Sequence, residues 1–88
     1  MVRKHIVFKG WVQGVGFRWR ARKAADLYGC TGWVRNEYDG SVTMEIQGQE
    51  ACIDQVLVAL NRGSYIRIED MQVRSLPIKE EESGFRTR

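Results

Sequence analysis

Histidine, cysteine and proline are scarce in this 88-residue chain, which has one His, two Cys and one Pro. A single imidazole, His5, and two widely separated thiols, Cys30 and Cys52, with no C-x-x-C pair, lack the ligand spacing of a metal site. The same scarcity works against a Ser/His/Asp hydrolase, because its only possible base, His5, lies on a stretch that reads as a structural strand. The two thiols could pair, but an intracellular setting favours free ones. No apolar run approaches the roughly 18 residues of a membrane span. The opening residues Met1-Val2-Arg3-Lys4-His5 lead into no secretory apolar region. Repeats, linkers and low-complexity stretches are also missing. The length is too short for two cores, so one domain over residues 1–88 is expected, and the absences lead us to expect it to be soluble, cytoplasmic and free of metal and membrane; we further expect a monomer.

What is present is ordinary for a globular chain: 43% hydrophobic and 28% charged residues, a balance that argues against disorder. The net charge of +3 is mildly basic, suits a small anionic substrate and also permits nucleic acid. Positive charge gathers at Arg18, Arg20, Arg22 and Lys23. Apart from Arg18, these read best as a solvated helix face.

Hydrophobic spacing divides the chain into elements. Residues 3–9 alternate imperfectly, with Ile6 and Phe8 facing one way and His5, Val7 and Lys9 the other, the pattern of a strand with one buried face. Phe17, Ala21, Ala24, Ala25 and Tyr28 recur at helical spacing up to Gly29. Two extended runs, 32–37 and 41–47, flank the hairpin signal Asp39-Gly40. Residues 49–62 return to helical spacing, with Cys52, Ile53, Val56, Leu57 and Leu60 on one stripe. A further extended segment, from Tyr65 to Leu76, slips in phase at Glu69-Asp70, as a bulge would cause. Phe85-Arg86-Thr87-Arg88 is at best a short edge strand. The order strand, helix, strand, strand, helix, strand predicts an α+β, ferredoxin-like βαββαβ sandwich: an antiparallel sheet with both helices on one face and the other face wet.

The glycine-rich stretch from Gly10 to Arg18 joins the first strand to the first helix. Such a turn can gather main-chain N–H groups at a helix start, where they attract an anion. Arg18 adds a planar guanidinium suited to phosphate or carboxylate. The spacing fits neither G-x-G-x-x-G nor a P-loop. By itself the loop is compatible with an anion site or with a plain structural turn.

A second element, Gly32-Trp33-Val34-Arg35-Asn36 running into Asp39-Gly40-Ser41-Val42, places a carboxamide on the strand that enters the hairpin. With both elements in view the chain resembles the acylphosphatases. Val12-Gln13-Gly14-Val15-Gly16-Phe17-Arg18 matches that family's V-Q-G-V-x-F-R signature, and residues 32–42 match its G-W-V-x-N-x-x-D-G-S-V. The resemblance spans roughly residues 4–76. It implies metal- and cofactor-independent hydrolysis of small acyl phosphates to carboxylate and inorganic phosphate. Arg18 and Asn36 would be the catalytic residues, Asn36 positioning water, and the substrate would be bound by Gln13, Gly14, Val15, Gly16, Phe17 and Arg18. The closing segment 85–88 departs from the family's usual Phe-x-Ile-x-Tyr-like strand, a change expected to leave the site untouched.

Two other readings share the loop or the fold. One is an acylphosphatase-like module that handles carbamoyl phosphate within a larger assembly. The other is an RNA-binding domain, disfavoured because Thr43, Glu45 and Gln47 offer no stacking ring on the open sheet face.

Overall fold

A computed structural model describes all residues, 1–88. Alternating apolar residues place Ile6 and Phe8 on the inner face of β1 (Val2–Trp11), where both are fully buried. The glycine loop leads to α1 (Phe17–Leu27). Next come β2 (Thr31–Asn36), β3 (Val42–Gly48), α2 (Glu50–Asn61), β4 (Arg67–Leu76) and β5 (Phe85–Thr87). The sheet order is β4-β1-β3-β2-β5. In β3, Val42, Met44 and Ile46 share the inner face with Ile6, Phe8 and Val34. Ala21, Ala24 and Ala25 of α1 and Ile53, Val56 and Leu60 of α2 close the same core. Burying one large apolar side chain of this kind stabilises by about 1.5–3 kcal/mol. An edge-on contact between Phe8 and Phe17, with ring centroids 4.9 Å apart, locks the first turn of α1 onto β1.

The expected phase slip is present. Lys9 pairs with Asp70 but Gly10 pairs with Ile68, so Glu69 is the extra residue of a bulge.

Two expectations need correction. The sheet is mixed rather than wholly antiparallel: residues 85–87 form a strand that pairs with β2 in parallel. The reason lies in the path of the chain, because β4 and β5 occupy opposite edges and the connection from Pro77 to Gly84 must cross the sheet. It crosses the outer face, so that face is not simply wet. Gln47 exchanges two hydrogen bonds with the main chain of Lys79, Nε2 donating to its oxygen at 2.9 Å and Oε1 accepting from its N–H at 2.8 Å. Arg3, only 1% exposed, pairs with Glu82 at 2.7 Å and with Glu45 at 2.9 Å. On the same face His5 meets the second oxygen of Glu45 through Nδ1 at 3.0 Å.

Candidate active site

The site grows out of the junction between β1 and α1. Val12, 1% exposed, anchors the incoming strand, and Phe17 anchors the outgoing helix against Phe8. Between these anchors Gly14 and Gly16 take φ values of +71° and +78°. Nothing crowds a Cβ at either position, so conformation rather than space selects glycine there. Gly16 is the N-cap of α1. No side chain caps the helix start and no acidic residue lies in its first turn. The free N–H groups of that turn and the positive end of the helix dipole therefore face the loop's concavity without a carboxylate in competition.

Asn36 reaches the same place from the end of β2. Two devices hold that end in register with the loop. Asp39 Oδ1 accepts hydrogen bonds from the Ser41 N–H at 2.9 Å and its hydroxyl at 2.6 Å, which shape the hairpin turn. These bonds hold the Asp39 carboxyl below the usual carboxylate range. Gln13 then spans the gap, its Nε2 donating to the main-chain oxygens of Glu37 at 2.7 Å and Ser41 at 2.8 Å.

A cleft of about 180 Å³ results, lined by Val12, Gly14, Gly16, Phe17, Arg18, Trp19 and Asn36. Of the residues expected at the site, Gly14, Gly16, Phe17, Arg18 and Asn36 are thus brought together. Phe17 is 2% exposed with its ring in the core, so the part it can offer a ligand is its main chain. Gln13 spends its side-chain amide on the hairpin, and Val15 packs against the core.

Arg18 is exposed, and its Nη1 donates to the main-chain oxygen of Arg88 at 2.9 Å. One of the guanidinium's five donors is engaged in this way, leaving the rest of the fork for an anion. The closing segment therefore touches the site, contrary to expectation. Neither this contact nor the Gln13 strut was foreseen, since each joins residues distant in sequence. Trp19 at the cleft's lip was also missed, although its place next to Arg18 was a usable signal. A larger hollow of about 300 Å³, between Trp11 and Tyr65, contains Arg67 but no glycine turn. No group of three His, Cys, Asp or Glu side chains converges as a metal site would require.

The family model for acylphosphatase matches residues 4–87. The chain belongs to the acylphosphatase family. An acylphosphatase of Oceanobacillus iheyensis is 43% identical over 79 residues, covering 88% of this chain and 87% of that protein. One from Clostridium acetobutylicum is 36% identical over 87 residues, covering 98% and 96%. The crystal structure of the Bacillus subtilis acylphosphatase superposes with a TM-score of 0.91 at 30% identity, covering 100% of this chain and 99% of that one. Full-length HypF, solved with phosphate and nucleotide bound, matches with a TM-score of 0.88 at 28% identity, but only 12% of that chain is involved. The activity of the present chain is accordingly that of an acylphosphatase, a hydrolase. No helix is long and apolar enough to cross a membrane.

Proposed function

We propose that the cleft hydrolyses the carboxyl–phosphate bond of small acyl phosphates, with the phosphoryl group held by the 13–18 loop and Arg18 and the attacking water aimed by Asn36. The observation that carries this reading is the meeting of Arg18, Asn36 and an uncapped helix start in one cleft. Main-chain N–H groups of the loop and the guanidinium of Arg18 would bind the three phosphoryl oxygens, where charge builds in the transition state. The water oxygen forms a bond to phosphorus as the bond from phosphorus to the acyl oxygen breaks, and the electron pair leaves with the carboxylate. The leaving group's conjugate acid has a pKa near that of Glu, about 4.3, so it needs no general acid. The water's proton passes to an oxygen of the transferring phosphate. Asn36 acts through position.

The reaction in this form uses no metal or cofactor, and the protein is expected to act as a cytoplasmic monomer. The decisive measurement is steady-state hydrolysis of benzoyl, acetyl and carbamoyl phosphate in the presence and absence of EDTA. Turnover of the acyl substrates, indifferent to chelator, is expected. A strong preference for carbamoyl phosphate would favour the specialised module, and inhibition by EDTA would overturn the mechanism. Nucleic-acid binding has little support: Trp33, the ring on the outer sheet face, is 7% exposed beneath the guanidinium groups of Arg35 and Arg88, at 5.0 and 4.5 Å.

A further inference from the structure

We infer that Trp19 is the surface on which the acyl group of the substrate rests, and that it biases the enzyme toward acyl phosphates with an aromatic or extended apolar body. This inference rests on the reading of the cleft given above. At about 180 Å³ the cleft is smaller than the roughly 300–1,000 Å³ of pockets that enclose a small molecule. A phosphoryl group seated on the loop therefore leaves its acyl part at the mouth. What that part meets is decided by the lining. Gly14 and Gly16 present no side chain, Arg18 and Asn36 are polar, and Val12 and Phe17 are 1% and 2% exposed. Trp19 is the remaining apolar lining residue, and it is 64% exposed.

Its position is set by the helix. As the neighbour of Arg18 in the first turn of α1, it is carried by the same backbone that presents the phosphate-binding groups. Lys23, one turn on, places its ammonium 5.4 Å from the indole centroid, a cation–π contact that orients the ring. Trp19 also borders a second shallow groove, shared with Ala24, Leu27 and Ala59, so apolar surface continues from the cleft mouth along the helix. An indole so exposed covers little of its own domain. A large rigid ring at the lip of an anion site is suited to stacking on a planar acyl group.

The test compares the full chain with Trp19→Ala and Trp19→Phe, using benzoyl phosphate and acetyl phosphate. Trp19→Ala should raise KM for benzoyl phosphate by about 3- to 10-fold, the range expected for one lost aromatic pair. The loss should fall on KM rather than kcat, and the benzoyl-to-acetyl ratio of kcat/KM should drop by the same factor. Trp19→Phe should restore most of it. Equal losses with both substrates, or an unchanged ratio, would overturn the inference while leaving the hydrolytic reading in place. Turnover of neither substrate by the unsubstituted chain would remove the hydrolytic reading, and this inference with it.

Discussion

In the proposed mechanism Arg18 would have two roles whose geometry can be separated. One N–H is spent on the Arg88 oxygen, and the others would be left for the phosphoryl group. Because Arg18 is the one charged side chain lining the cleft, Arg18→Ala should lower kcat/KM for benzoyl phosphate by about 10³-fold or more and weaken inhibition by inorganic phosphate. Retention of most activity would remove the assignment. Asn36 tests a different step. If its carboxamide steers water and binds little of the ground state, Asn36→Ala should reduce kcat by about 10²-fold, as loss of one oriented donor does elsewhere. Phosphate should then inhibit the variant as well as the parent, a result read from competition curves. Gln13 differs from both, since its amide meets protein oxygens rather than the cleft. Its effect on catalysis would come through the hairpin that carries Asn36.

Among the elements, β5 and the segment crossing the sheet link stability to the site. Phe85 is 4% exposed within the core, and the strand it begins carries the chain to Arg88 and thus to Arg18. Phe85→Ala should cost about 3–5 kcal/mol of stability in urea unfolding, and kcat/KM should fall in the fraction that remains folded. The crossing segment is held by Arg3. For Glu82 and Glu45, burial pushes the carboxyls upward. Hydrogen bonds from Arg3, and from His5 to Glu45, outweigh that and hold both below the ordinary carboxylate value. A depressed carboxyl stabilises the fold fully above the unfolded value of about 4.3 and loses that contribution as pH falls through the lower folded value. Urea midpoints measured from pH 7 to pH 2 should therefore drop at the acid end. Glu82→Gln should be less stable than the parent at pH 7 and should show a shallower acid decline. Parallel curves would separate Glu82 from acid stability.

For the molecule as a whole, one continuous core underlies both helices, and Cys30 lies within it at 3% exposure. Burial, with a smaller contribution from nearby Cys52, pushes its thiol up to about 11. A thiol so placed is almost wholly un-ionised at neutral pH and shielded from reagents. Thiol-directed labelling followed by mass spectrometry should accordingly modify Cys52 well before Cys30, with Cys30 reacting on the timescale of global opening. Early modification of Cys30 would mean that the core around it opens in the native state without global unfolding. The two cysteines are free rather than paired.

Much of this architecture could be read from the chain because its causes are local. Alternation of Val42, Met44 and Ile46, the helical stripes and the Asp39-Gly40 turn each follow from neighbours a few residues apart, and so does a glycine loop that ends in Arg18. Other features depend on where distant segments come to lie. Placing β4 and β5 at opposite edges forces the crossing that buries Arg3 and makes the last strand parallel, and the register of β5 on β2 brings Arg88 to Arg18. Gln13 becomes a strut because the hairpin oxygens arrive beside it. The amino-acid order by itself determined which groups could bind a phosphoryl oxygen. Their convergence, and the partners that hold them there, were decided by tertiary packing, because hydrogen bonds and burial act through distance in space rather than separation along the chain.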